Sequence, residues 1–112
     1  MLTFEQTTRG DMAVLTIRGN LDSLTVPDIR PVIEKLVQAG TTKVALDLEA
    51  LEVIDSSGVG AIVSLFKRVR SMGGDVKIVG VRGQPREILR LLGLERAFDL
   101  LANVDEALKK FS

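Results

Sequence analysis

Residues Val53 to Ile62, VIDSSGVGAI, gather one carboxylate (Asp55), two hydroxyls (Ser56 and Ser57) and two glycines (Gly58 and Gly60) at the junction of an expected strand and helix. A helix N-terminus presents unpaired N–H groups and the positive end of the helix dipole, so an oxyanion, bound or covalently attached as phosphate, is tolerated there. The commoner meaning of such a polar cluster is an N-cap. A cap needs only one residue, however, and leaves at least one hydroxyl spare. Glycine costs a helix about 1 kcal/mol relative to alanine, and both glycines fall in the first turn. On spacing alone two explanations stand equal: close packing of this turn on its own sheet, or bare backbone that must meet a ligand or partner protein. Under the second, Gly58→Ala leaves the thermal midpoint unchanged or raises it, and weakens binding.

Three enzymatic patterns fail on these residues. A P-loop needs a lysine beside its terminal Ser/Thr, and none is present. A nucleophile elbow needs glycine two residues before the serine, where this chain has Ile54 or Asp55. Asp47, Glu49, Glu52 and Asp55 raise a receiver-type phosphoaspartate site, but their spacing in one loop reads as solvated surface plus a cap. The chain has no histidine and no cysteine. That removes the usual general base, the thiolate nucleophile and the commonest metal ligands, so no catalytic residue, metal or cofactor is expected.

The elements that position this stretch follow from periodicity. Leu2 and Phe4 alternate with Thr3 and Glu5, and Ala13, Leu15 and Ile17 with Thr16 and Arg18, giving a hairpin about Arg9-Gly10-Asp11. After the loop GNLDSL, Thr25 and Asp28 are spaced as a helix cap, and Val26, Ile29, Ile33, Leu36 and Val37 form one stripe ending at Gly40. Pro31 predicts a kink in that helix or a start later than Thr25. TKVALDLEA is a central strand, Ser57 to Met72 a helix closed by Gly73-Gly74, and DVKIVGV a buried strand. QPREILRLLG is a helix, AFDLL a short last strand, and NVDEALKKF a helix capped by Asn103 with Glu106 three residues on. Lys67 to Arg70, KRVR, reads as a wet helix face near a C-terminus.

At 112 residues the chain is expected to form one domain over 1–112, burying somewhat more than ~60% of its unfolded surface. Formal net charge is zero and the isoelectric point is near 6.3, so no global field draws it to nucleic acid or anionic lipid. No apolar run reaches the ~18 residues of a membrane span, and the first residues do not read as a signal peptide. The expectation is a soluble, cytoplasmic protein with no nucleic acid partner and no direct membrane insertion.

DLEALEVIDSSGVGAIVSLFKRVRSMGGDVKIVGV, together with GNLDSLT upstream and ILRLLGLERAFDL downstream, resembles the sulfate-transporter and anti-sigma-factor-antagonist (STAS) family in its bacterial stand-alone form. The resemblance rests on Gly19, Leu21 and Asp22, on the Asp55-Ser56-Ser57-Gly58 core with the Val59-Gly60 pair, and on the Gly73-Gly74 break. Valine at 59 stands where leucine is common in the family. The resemblance implies a mixed four- to five-stranded β-sheet with about four α-helices packed mainly on one side. It also implies partner switching. The unphosphorylated antagonist binds an anti-sigma factor that is also a serine kinase and so releases a sigma factor; phosphorylation of Ser56 ends the complex, and a serine phosphatase resets it. On that likeness Ser56 is the phosphoacceptor, Asp55 orients it, and Asp22, Ser57, Gly58, Val59 and Gly60 form the partner surface. Two competing readings are an accessory subunit of a lipid-transport ABC system on the same fold, and a weak nucleotide-binding hydrolase using Asp55 and Ser56.

Overall fold

The computed structural model describes residues 1–112. The chain runs β1 (Leu2–Arg9), β2 (Met12–Leu21), α1 (Val26–Gln38), β3 (Lys43–Asp47), β4 (Leu51–Ile54), α2 (Ser56–Ser71), β5 (Asp75–Val79), α3 (Gly83–Leu91), β6 (Leu100–Leu101) and α4 (Val104–Phe111). β1 pairs antiparallel with β2, from Leu2 opposite Gly19 to Arg9 opposite Met12. Every other pairing is parallel. The path is β1-β2-β3-β5-β6, and β4 pairs separately with the far end of β2.

Alternation along the strands divides the core between two faces. Leu15 and Ile17 of β2, Val44 and Leu46 of β3, and Val76 and Ile78 of β5 meet Ile29, Ile33 and Leu36 of α1, Ile62, Leu65 and Val69 of α2, and Leu89 of α3. Met12, Val14, Ala45 and Val79 point the other way and are covered by Ala107, Leu108 and Phe111 of α4. Burial on both faces explains why KVALD and VKIV read as nearly unbroken apolar runs. Three helices therefore lie on one side and one on the other, in keeping with helices mainly to one side.

The sheet has six strands, one more than the resemblance implied. The addition that matters is β4, which lies where a loop was expected: Leu51 and Ile54 are buried while Glu52 and Val53 are exposed. It forms because β2 runs further than its alternation suggests and changes partner at Gly19, where φ is +92° and the register shifts. A Cβ there would lie 2.2 Å from the carbonyl oxygen of Met1, so residue 19 must be glycine on both counts.

One expectation about α1 needs correction, and one of the two alternatives raised by Pro31 is excluded. Thr25 does not cap with its side chain: its hydroxyl donates to the carbonyl of Asn20 at 2.9 Å and accepts from the N–H of Asp22 at 2.9 Å. Nor is the start delayed. The helix begins at Val26 and carries Pro31 inside it, with Pro27 in the first turn. At the other end of the chain Asn103 caps α4 through the N–H of Glu106 at 2.9 Å, and the Glu106 carboxylate reaches back to the N–H of Ala102 at 2.6 Å.

Beneath α4 lies Lys77, 6% exposed, which donates to Asp99 at 2.8 Å and Asp75 at 3.3 Å and sits 4.8 Å from the centroid of the Phe111 ring. Burial pulls its pKa down, but the bonds to the two carboxylates outweigh that and hold it above the ordinary lysine value. The bond from Lys77 in turn holds the Asp99 carboxyl below its ordinary value. A depressed carboxyl contributes stability above its unfolded pKa, and that contribution vanishes as pH falls through the folded value. Asp99 is half exposed, so the contribution is discounted for solvent screening to about 1 kcal/mol or less. Asp99→Asn should therefore lower the urea midpoint at pH 7 and lower it by less near pH 3, in parallel titrations of the two proteins.

Candidate functional site

β2 through β6 run parallel, so their carboxyl ends share one rim, the usual place for binding in open α/β sheets. The loop after β2 (Asp22 to Thr25) and the β4–α2 junction (Asp55 and Ser56) meet on this rim. Asp55 joins them. One oxygen of its carboxylate accepts from the N–H of Gly58 at 2.9 Å, which makes Asp55 the N-cap of α2; the other accepts from the N–H of Ser23 at 3.1 Å.

Because Asp55 caps, neither serine hydroxyl is needed to close the helix. Ser56 is the first helical residue and is exposed; Ser57 is half-buried. Asp22 is half-buried and turned into its own loop, accepting from the N–H groups of Leu24 at 3.0 Å and Thr25 at 3.2 Å. Its carboxylate orders the loop in the manner of an Asx turn. Asp47 likewise accepts from the N–H of Glu49 at 3.2 Å, with β4 intervening before Asp55. No group of three or more acidic side chains comes together to hold a metal ion. No helix is long and apolar enough to cross a membrane.

Structure separates the two glycines. Gly58 is buried, with unexceptional φ, and a Cβ there would stand 2.3 Å from the carbonyl oxygen of Leu21 and 2.7 Å from Cγ1 of Ile54. It is glycine so that α2 can seat on the ends of β2 and β4. Gly60 is exposed with nothing within 4 Å of its missing Cβ. The expectation that both glycines exist for a partner's approach is thus corrected at Gly58, whose open side is filled by this chain's own sheet. Val59 is corrected with it, being 7% exposed and part of the core. Of the expected surface, Ser56 and Gly60 are exposed and Asp22, Asp55 and Ser57 are half-buried.

Sequence reading missed three residues here. Leu24 is 86% exposed although its N–H is pinned by Asp22, and Val53, two residues before the cap, is 42% exposed. Both are apolar residues in loop-like surroundings, a weak signal at best. Gln84 is the third: its side chain bonds both the N–H and the carbonyl of Ile54, each at 2.9 Å. Nothing local in QPREIL announces a contact 30 residues away.

The glycine geometry yields a paired expectation. Gly58→Ala forces atoms apart at Leu21 and Ile54 and should cost about 1–3 kcal/mol in spite of alanine's better helix propensity. Gly60→Ala meets open space and should stabilise by up to about 1 kcal/mol. Urea denaturation of the two variants against the parent reads both signs.

The sequence and the fold are both similar to those of known proteins. Residues 3–107 match the STAS domain family. The anti-sigma-B factor antagonist of Staphylococcus aureus (strain NCTC 8325 / PS 47) is 29% identical over 94 residues, covering 84% of this chain and 87% of that protein. Among solved structures, an anti-sigma factor antagonist from Mycobacterium paratuberculosis superposes with a TM-score of 0.89 at 23% identity, over 98% of this chain and 93% of that one. The Bacillus cell fate determinant SpoIIAA, in its phosphorylated form, superposes with a TM-score of 0.79 at 23% identity, over 98% of this chain and all of its own (100%). These superpositions show a common fold, and with the family match spanning nearly the whole sequence the chain belongs to the STAS domain family.

Proposed function

We propose that this protein is an anti-sigma factor antagonist that works as a binding switch and not as a catalyst. The observation that carries the reading is Ser56: a hydroxyl displayed at the first position of a helix already capped by Asp55. Its kinship with a staphylococcal anti-sigma-B factor antagonist supplies the partner class. The unphosphorylated protein binds an anti-sigma factor that is also a serine kinase, and a sigma factor is released. The kinase transfers the γ-phosphoryl group of ATP to the Ser56 oxygen, ADP departs, and a serine phosphatase later restores the hydroxyl. Asp22, Asp55, Ser57 and Gly60 border the contact. Leu24 and Val53 add apolar area to a rim that is otherwise polar. Gly58 and Val59 contribute from beneath, by fixing the turn.

Phosphate acts on the interface and leaves the fold alone. A phosphoserine carries about −1.5 to −2 charge at neutral pH, and at this position the charge meets the positive end of the dipole of α2. The Asp55 carboxylate opposes it, but water screens a group this exposed. Against a partner the balance differs. The dianion must shed water and fit a surface shaped for a hydroxyl, and each 1.4 kcal/mol of that penalty weakens binding about tenfold.

Asp55→Asn does more than remove a charge. Asparagine retains one acceptor for Gly58 but its NH2 group cannot accept from Ser23, so the cap persists while the tie between the two loops is lost. A slower phosphorylation of that variant reports the loop tie together with any direct role at the hydroxyl.

The reading is tested with Ser56→Asp and Ser56→Ala. Ser56→Asp should keep its thermal midpoint within about 4 °C of the parent, as a surface substitution does. Its binding to the cognate anti-sigma factor should fall about 100-fold or more, equivalent to ~2.7 kcal/mol. Ser56→Ala should bind and resist phosphorylation. Mass spectrometry after incubation with the kinase and ATP identifies the site; phosphate on Ser57 alone, or an unfolded Ser56→Asp protein, would overturn the reading.

A further inference from the structure

Ile54, the residue before the cap, is held from both edges. On one side it pairs with Leu21 of β2, and the N–H of Asp55 continues that pairing to the Leu21 carbonyl at 3.3 Å. On the other side no strand is present. Gln84, second residue of α3, fills that place: its Nε2 donates to the Ile54 carbonyl and its Oε1 accepts from the Ile54 N–H, both at 2.9 Å. In an extended strand the N–H and C=O of one residue point to the same side, so a neighbouring strand can satisfy both with a single residue. A primary amide is the neutral side-chain group that reproduces this donor–acceptor pair. Its orientation is dictated, since the reversed amide would set oxygen against oxygen and NH2 against N–H.

The start of α3 is moored a second time. Arg82 Nε donates to the carbonyl of Glu49 at 3.2 Å, and Pro85 beside Gln84 is buried. Gln84 itself is exposed, so the pairing is not a by-product of core packing. Ile54 is itself only 2% exposed, so its N–H and carbonyl need a partner. What the side chain adds is direction: it fixes one orientation of the peptide from which Asp55 and Ser56 extend.

We propose that Gln84 is a positioning residue for Ser56, an added side-chain strand that holds the Ile54 peptide and so presents the cap and the phosphoacceptor in a single geometry. The inference rests on the reading of Ser56 as the site of phosphorylation. A substrate hydroxyl must be placed in line with the transferred phosphoryl group, and looseness in its backbone lowers the rate without altering the chemistry.

The test uses the full chain, its cognate kinase and two variants. Gln84→Glu keeps the acceptor for Ile54 N–H but at neutral pH sets a carboxylate against the Ile54 carbonyl. Protonation gives back the donor, near or above the ~4.3 of a free glutamate because the facing carbonyl opposes the charged form. Relative to the parent in the same buffer, phosphorylation of Gln84→Glu should be about tenfold slower at pH 8 and recover to about fourfold slower or better at pH 5. Gln84→Met, which has neither group, should be about tenfold slower at both. A merely structural defect would not reverse with pH. A parent-like rate for Gln84→Met, or a deficit in Gln84→Glu that is the same at both pH values, overturns the proposal. Amide exchange at Ile54 and Asp55 gives a second readout that needs no kinase: about tenfold faster exchange in Gln84→Met supports the positioning role and unchanged exchange refutes it. If the parent accepts no phosphate at all, the reading of Ser56 fails, and this exchange measurement alone decides the role of Gln84.

Discussion

The close approach of Gly58 to the carbonyl of Leu21 is the constraint on which the working end of this molecule depends. A side chain at 58 would stand 2.3 Å from that oxygen, so only glycine lets the first turn of α2 settle on the end of β2. Once it does, the Leu21 carbonyl also receives the N–H of Asp55, and Leu21 pairs with Ile54. Asp55 is thereby placed to cap Gly58 with one oxygen and to hold Ser23 with the other. Two loops distant in sequence become one ordered rim through a single carboxylate.

Order on this rim is reached without spending the serines. Asp22 satisfies the N–H groups of its own loop, Thr25 ties Asn20 to Asp22, and Asp55 serves the helix and Ser23. Ser56 is left as a hydroxyl on a fixed backbone, open to solvent. That combination suits a group whose modification must change what binds and not what folds. On the proposed reading, a phosphate at this helix terminus stands where the partner binds. The opposite face follows a different logic: α4 closes it over Met12, Val14, Ala45 and Val79, with the one buried lysine held by Asp75 and Asp99.

The sequence made most of the scaffold readable because its signals are local. Alternation in Ala13, Leu15 and Ile17, the helical stripe of Ile62, Leu65 and Val69, and the Asn103–Glu106 cap each lie within one element. β4 was hidden because four residues with only Leu51 and Ile54 buried match neither a strand nor a helix period. Thr25 looked like a cap until a carbonyl five residues upstream claimed its hydroxyl. The reason for Gly58 lies in the Leu21 backbone, and the partner of Gln84 lies in β4; neither can be seen from neighbouring residues. The acid-hydroxyl-glycine pattern pointed to the candidate site, and tertiary contacts sorted its members into exposed and buried.

If the rim is a rigid platform that changes only in surface charge, amide hydrogen exchange of the unphosphorylated protein and of the protein phosphorylated on Ser56 compares the two states most directly. The expected result is a change confined to the first turn of α2 and the Asp22–Thr25 loop, with protection of β2, β3, β5 and the remainder of α2 the same in both. Faster exchange spreading through those strands on phosphorylation would contradict it, because the switch would then act by loosening the fold.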